Sequence, residues 1–212
     1  MAFSSYLLRK FLSSPGEALR IKRAGDEVRE YAAWKLYSVL EESGLLAKLQ
    51  ERPWWSFKDR DLTRIVYDAL VAEGLADRSG DLIKVKKAPR RPAITTKEAA
   101  DLAPVFDRAF LYLPHALETG ERPAQSEVRA AMAKILDNFA TRLEMEVAVE
   151  EAGLSKLGED AVIADFYPRA GASTAALLET RAKTVVVEPY RENLALIERL
   201  VKLTGQEAPE KT

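Results

Sequence analysis

A mainly helical chain with an α/β part at its C-terminal end is predicted by three observations. Apolar residues recur at helical spacing through most of residues 26–157, with glycines closing the runs. Two short alternating stretches meet at Ser79-Gly80. After residue 160 the pattern becomes strand, loop, helix, acid-ended strand and helix, from Ala161-Val-Ile-Ala-Asp165 through Thr184-Val-Val-Val-Glu188 to Gly205. A chain of 212 residues, 47% hydrophobic, can bury one large core or two small ones. Its organisation reads as an arm (1–25), a first domain (26–92), a helical connector (93–157) and a C-terminal unit (158–212).

Composition excludes several chemistries. There is no cysteine, so a disulfide scaffold, a thiolate metal site and a cysteine nucleophile are all absent. The single histidine, His115, rules out a multi-histidine metal site, and no metal is expected. Charged residues make up 31% of the chain while asparagine occurs only as Asn138 and Asn193, a balance that leans toward a thermophile. No apolar run approaches the roughly 20 residues a membrane helix needs, so the expectation is a soluble, cytoplasmic protein without membrane partners.

The arm opens the chain with no acid before Gly16, with Arg9 and Lys10, and with Phe3, Leu7, Leu8, Phe11 and Leu12 near helical spacing. A mitochondrial presequence has the same look, but a short amphipathic helix packed on the body or on a partner subunit accounts for it equally simply. In the first domain, Val28, Ala32, Leu36, Val39 and Leu40 form one stripe of a helix ending near Ser43-Gly44. Leu62, Ile65, Val66, Ala69 and Leu70 form a second, stopped by Gly74. Ile83 and Val85 then alternate with Lys84 and Lys86 beyond Ser79-Gly80, as in a half-buried strand. Two helices followed by a two-stranded wing look like a winged helix.

Charge argues against that domain gripping nucleic acid. Residues 26–83 hold 8 basic and 12 acidic side chains, and the candidate recognition helix, 58–73, has a net charge of −1. Duplex affinity comes largely from cations on phosphates. Only Lys84, Lys86, Lys87, Arg90 and Arg91 could supply such contacts, and Pro89 and Pro92 favour reading that run as a solvated linker between domains. Trp54 and Trp55 beside Pro53 read as packing anchors rather than a stacking platform.

In the connector, Phe106, Ala109, Phe110 and Leu113 share a face, and Pro114 and Pro123 punctuate. Val128, Met132, Ile135, Leu136 and Phe139 continue the helical period, and a last helix spans roughly 142–152 before Gly153. His115 has no carboxylate or hydroxyl at a spacing that would orient it as a general base, and reads as a structural or surface residue.

With these parts in place, the C-terminal pattern reads as a truncated Rossmann-like βαβα unit. The whole order resembles the class I S-adenosylmethionine-dependent methyltransferases, in particular multidomain O-methyltransferases that begin with a winged-helix dimerisation domain. In that family the first strand ends Asp/Glu-x-Gly-x-Gly-x-Gly and an acid on the second strand holds the ribose hydroxyls. Asp165 matches the first acid, Gly171 the third glycine and Glu188 the ribose acid, 23 positions after Asp165. Tyr167 and Arg169, on either side of Pro168, stand at the first two glycine positions. Some RNA cytosine methyltransferases are similar to this loop in keeping only its last glycine.

The resemblance implies S-adenosylmethionine as cofactor, held by Asp165, Tyr167, Arg169, Ala170, Gly171 and Glu188, and a homodimer formed through the N-terminal helices and winged-helix domain. It assigns no catalytic residue, because in that family those lie mostly beyond the strands read here. Three functions follow: the N-terminal part of a methyltransferase, not active alone; a non-catalytic dimerisation or binding module of the same ancestry; or a winged-helix nucleic-acid-binding regulator. Each candidate also has an architectural alternative. Asp165 can cap the loop, Gly171 can serve helix–strand packing, and Glu188 before Pro189 can be a solvated strand end.

Overall fold

A computed structural model describes residues 15–137, 139–204 and 210–211. Contacts divide the chain into two compact units, residues 23–128 and residues 1–22 with 129–212. The arm expected before residue 15 lies outside the described residues.

The unit of residues 23–128 begins within helix α1 (Pro15–Glu42), one continuous helix that runs through the position where the sequence separates arm from body. It stops where expected, with Gly44 in the left-handed region at φ +72°. Helix α2 (Leu45–Glu51) follows at once. Its seven residues are too few for a period, which is why sequence reasoning passes over it, yet Leu45, Leu46 and Leu49 are all buried. After a 3₁₀ turn (Trp54–Ser56) comes helix α3 (Arg60–Ala72), capped by the Asp59 side chain, which accepts from the Leu62 N–H at 3.1 Å. Strands β1 (Ala76–Ser79) and β2 (Leu82–Val85) form an antiparallel hairpin, with Ser79 opposite Leu82 and Ala76 opposite Val85.

Helix α4 (Lys97–Leu111) and helix α5 (Leu113–Thr119) follow in this unit. Pro114 does not break a helix. It occupies the second position of α5, where a missing N–H costs no helical bond. Leu36, Leu40, Leu45, Leu49, Leu70 and Ile83 share a core with Leu113 and Leu117, so helices and hairpin close on one apolar centre. Full burial of each such leucine contributes about 1.5–3 kcal/mol. Trp54 packs against that core as an anchor, whereas Trp55 remains half exposed. The Tyr67 hydroxyl lies 2.6 Å from the Leu49 carbonyl and 2.9 Å from that of Arg52, and burial pushes its phenol up to about 12.

A buried carboxylate staples this unit. Glu27 accepts from the backbone N–H groups of Thr95 (3.0 Å) and Thr96 (2.9 Å) and from the hydroxyls of both residues, fixing α1 to the segment that enters α4. The Thr95 hydroxyl, chief among these donors, holds the Glu27 carboxyl down at about 2. A depressed carboxylate contributes stability that is present above its unfolded value and lost as pH falls through the folded one. Acid titration of the wild type is therefore expected to weaken this unit progressively from about pH 4.5 toward pH 2, and Glu27→Gln to flatten that limb. An unchanged acid limb in the variant would remove Glu27 as its source.

Helix α6 (Gln125–Leu136) leads into the second unit, where α7 (Phe139–Glu151) is followed by β3 (Val162–Phe166), α8 (Ala172–Leu178), β4 (Lys183–Val187), α9 (Arg191–Thr204) and a two-residue strand β5 (Glu210–Lys211). The sheet is parallel with order β3-β4-β5, and β3 stands at one edge. Asp165 lies beside Val186 and Phe166 beside Val187. Because side chains alternate, Ile163, Asp165, Thr184 and Val186 share one face, and Val186 packs on Ile197 and Val201 of α9. The other face carries Val162, Ala164 and Phe166, all exposed, with Val185 and Val187 half-buried. Two strands with one helix each would be marginal. Here the upstream helix α7 packs along α8 and adds to the layer. No described helix is long and apolar enough to cross a membrane.

Candidate functional site

The loop between β3 and α8 and the end of β4 meet at one end of the parallel sheet. The Tyr167 N–H donates to the Val187 carbonyl at 3.0 Å, extending the ladder one step past Phe166. The Gly171 N–H then donates to the Pro168 carbonyl at 2.8 Å, closing a tight turn over buried Pro168. Tyr167 and Arg169 both sit at φ +55°, and no other described non-glycine residue has positive φ. Bulky residues therefore keep the left-handed backbone that glycine adopts without cost, against a penalty of about 1–2 kcal/mol each. The bulk points away from the turn at Tyr167, whose ring is 62% exposed.

Relief of that strain is directly measurable. Tyr167→Gly is expected to stabilise the protein by about 0.5–1 kcal/mol, the left-handed penalty less the extra freedom glycine gives the unfolded chain. A loss of stability in urea titration would mean that the exposed ring makes contacts worth more than the strain.

Three acids converge on this loop. Glu188 is 7% exposed and ends β4; its Oε2 accepts from the Arg169 N–H at 3.1 Å and its Oε1 from the Tyr190 N–H at 3.0 Å. It is therefore a held carboxylate at the loop rather than a solvated strand end. Asp165 is also 7% exposed, but its oxygens are taken by hydroxyls of α8: Ser173 Oγ donates at 3.0 Å and Thr174 Oγ1 at 2.6 Å. Burial raises the Asp165 pKa above the ordinary carboxylate value, opposed by those two hydroxyls and assisted by the nearby charges of Asp137 and Glu188. Ser173 and Thr174 lie eight and nine positions beyond Asp165, a spacing no local rule links to a strand-end acid.

The third acid, Asp137, is absent from the sequence-based site. It follows the last turn of α6, and its side chain is 2% exposed. Oδ2 accepts from the N–H groups of Ala170 (2.8 Å), Gly171 (3.1 Å) and Ala172 (3.4 Å). Oδ1 lies 2.8 Å from Arg169 Nη2 in an ion pair whose angle falls outside hydrogen-bond geometry.

Gly171 has an architectural reason as well. At φ +98°, its backbone suits glycine, and an added Cβ would stand 2.9 Å from Leu200 Cδ2 and 3.3 Å from Ile197 Cγ1 on α9. The packing partner is a helix, not the strand that the sequence suggests. Beside the loop, the Arg129 guanidinium lies 3.7 Å from the centre of the Tyr190 ring, two residues past Glu188.

The basic run falls in the other unit. Lys86 pairs with Asp77 at 2.8 Å, and the Arg91 guanidinium lies 5.1 Å from the centre of the Trp34 ring. Lys84, Lys87 and Arg90 are exposed. His115 does meet a carboxylate, Glu121 Oε2 at 3.2 Å, six residues away across the αL glycine Gly120; both side chains are more than half exposed, the character of a surface pair. A cavity of about 330 Å³ near the hairpin tip is lined by Trp54, Arg64, Tyr67 and Arg78 with Asp68 and Asp81. Among the described residues no cluster of three or more metal-ligating side chains occurs.

No protein-family model matches the chain, and no curated protein matches it. Among solved structures it is similar to the DszA carbon methyltransferase, with 16% identity over 95% of this chain and a TM-score of 0.53. A second similar structure is the CMeT domain of the citrinin polyketide synthase, with 13% identity over 99% of this chain, 66% of that one, and a TM-score of 0.49. The chain spans 61% of the DszA methyltransferase chain. The first likeness shows a methyltransferase fold.

Proposed function

We propose that residues 129–212 form the cofactor end of an S-adenosylmethionine-dependent methyltransferase, with the cofactor on loop 167–171 and its ribose at Glu188. The observation that carries this reading is the loop itself. Two non-glycine residues are held at φ +55° immediately after an acid-ended strand, and backbone strain of this kind persists where surrounding structure over-determines it, characteristically at ligand sites. The donor chemistry fits. Each Glu188 oxygen accepts one backbone N–H and retains a lone pair, so the carboxylate can accept from a pair of vicinal hydroxyls.

S-adenosylmethionine supplies an activated methyl group on a sulfonium. The chain's residues bind and orient: Glu188 fixes the ribose, Tyr167 to Gly171 form the loop beneath it, and Asp165 acts through Ser173 and Thr174 by anchoring α8 to the strand end. No residue of the chain is assigned to the methyl acceptor or to a base. The sequence resembles O-methyltransferases, whereas the structural neighbours are carbon methyltransferases, and a likeness of fold leaves the acceptor atom open. Self-association through the N-terminal helices belongs to the same proposal, and a monomer at micromolar concentration in sedimentation would remove it.

Calorimetry tests the cofactor reading. Titration of S-adenosylmethionine into the protein is expected to give heat, and Glu188→Ala to weaken binding by about tenfold or more, the loss of a charge-assisted hydrogen-bonding group. Absence of heat with the wild type at millimolar ligand would leave a non-catalytic module of the same fold.

A further inference from the structure

We infer that Asp137 is the positioning residue of the cofactor loop: it holds Arg169 in the left-handed conformation that glycine would adopt freely, and so aims the Arg169 N–H at Glu188. The inference rests on the reading of loop 167–171 and Glu188 as the cofactor site. The two strained positions are held in different ways. Tyr167 is fixed by the sheet, through its N–H on the Val187 carbonyl, and its side chain is largely free. Arg169 lies beyond the ladder, where its N–H meets the Glu188 side chain and no strand carbonyl.

What fixes Arg169 is Asp137. One carboxylate oxygen faces the guanidinium at 2.8 Å, and the other gathers the next three N–H groups, those of Ala170, Gly171 and Ala172. Pinning the side chain of Arg169 on one side and the residues after it on the other leaves its own backbone no room to relax to negative φ. That backbone in turn presents its N–H to Glu188 Oε2 at 3.1 Å. The relay runs from the end of α6 through Arg169 to the proposed ribose carboxylate. With its side chain 2% exposed and its partners among the described residues all on the loop, this acid commits its charge there.

The relay makes a specific demand: glycine at 169 must replace the anchor, and alanine must not. Amide hydrogen exchange and S-adenosylmethionine titration of Asp137→Asn, Arg169→Gly, Arg169→Ala and Asp137→Asn/Arg169→Gly test it. In Asp137→Asn and in Arg169→Ala, exchange at the Arg169 and Ala170 amides is expected to rise about tenfold or more while Val185 and Val186 in β4 are unchanged. Cofactor affinity should fall by about tenfold in both. Arg169→Gly should lose less than Arg169→Ala in both readouts, and adding it to Asp137→Asn should recover at least half of the exchange protection and affinity that Asp137→Asn loses.

A merely stabilising Asp137 would lower the melting temperature without rescue by glycine. The inference is overturned if Arg169 amide exchange in Asp137→Asn stays within about twofold of wild type, or if the double variant is no better than Asp137→Asn. Should the wild type take up no S-adenosylmethionine, the functional reading fails by itself, and exchange with glycine rescue still decides the role of Asp137. Arg169→Ala leaves the buried acid in place, so it decides the question even if Asp137→Asn does not fold.

Discussion

Gly171→Ala is expected to destabilise the unit of residues 129–212 by about 2–5 kcal/mol, combining a left-handed penalty of about 1–2 with an overpacking cost of about 1–3. The backbone is at φ +98°, so an L side chain is strained whatever space it finds. The space is also taken. Leu200 Cδ2, at 2.9 Å from the added Cβ, is the end of a flexible side chain and can swing, but Ile197 Cγ1 at 3.3 Å belongs to a β-branched residue that is buried beneath it. The left-handed penalty applies whatever the neighbours do, and how far Leu200 and Ile197 give way sets where in the range the loss falls. Urea titration followed by circular dichroism, with amide exchange at Val185 and Val186, measures it. A change below about 0.5 kcal/mol, the level of an ordinary surface substitution, would show that the turn relaxes and that glycine is dispensable there.

Asp59→Ala should cost the other unit about 2 kcal/mol, chiefly the loss of a helix cap, itself worth about 0.5–2. Asp59 Oδ1 accepts from the Leu62 N–H at the start of α3, and Arg122 donates to the same carboxylate through Nε at 2.6 Å and Nη2 at 2.9 Å. The acid is 8% exposed whereas Arg122 is 62% exposed, so a released arginine returns to water and its pairing adds at most about 1 kcal/mol. Asp59→Asn keeps the cap and should lose about half as much. All three tryptophans, Trp34, Trp54 and Trp55, lie within residues 23–128, so fluorescence-detected unfolding reports this unit. Equal losses for Asn and Ala would show that the ion pair, not the cap, is the main term.

The shifted acids of the two units are expected to act in opposite directions as pH falls. The Arg122 guanidinium, followed by the Leu62 N–H, holds Asp59 below its ordinary value, so its contribution, like that of Glu27, is present above the unfolded pKa and disappears as pH falls through the folded one. Asp165 is raised by burial, so its contribution is fully present below the unfolded pKa and is lost as pH rises through the folded value. Through these groups, acid weakens residues 23–128 while easing the cost of the buried Asp165 at the start of loop 167–171.

Much of the fold is legible along the chain. Gly44 and Gly74 end their helices with positive φ, the hairpin turns at Gly80-Asp81, one residue past the expected Ser79-Gly80, and the acid-ended strands form where their alternating and β-branched residues place them. Helix α2 and the two-residue β5 are too short to leave a period. At the site, the sequence brings forward Asp165, Gly171 and Glu188, which the structure gathers at one sheet end. It also sets bulky Tyr167 and Arg169 at two positions that glycine holds in the resembling family, and their backbones retain the left-handed turn while Tyr167 stays exposed.

Sequence by itself determined what each short segment does: where helices stop, which strand ends in an acid, which turn needs glycine. Those properties follow from φ/ψ preference and apolar period, which act over a few residues. Tertiary structure alone decided that Asp165 is spoken for by Ser173 and Thr174, that Gly171 answers to Ile197 and Leu200, and that Asp137 reaches the loop from 33 residues away. A carboxylate finds its donors in space, and whether a strained backbone is tolerated depends on what is packed around it, neither of which local order along the chain encodes.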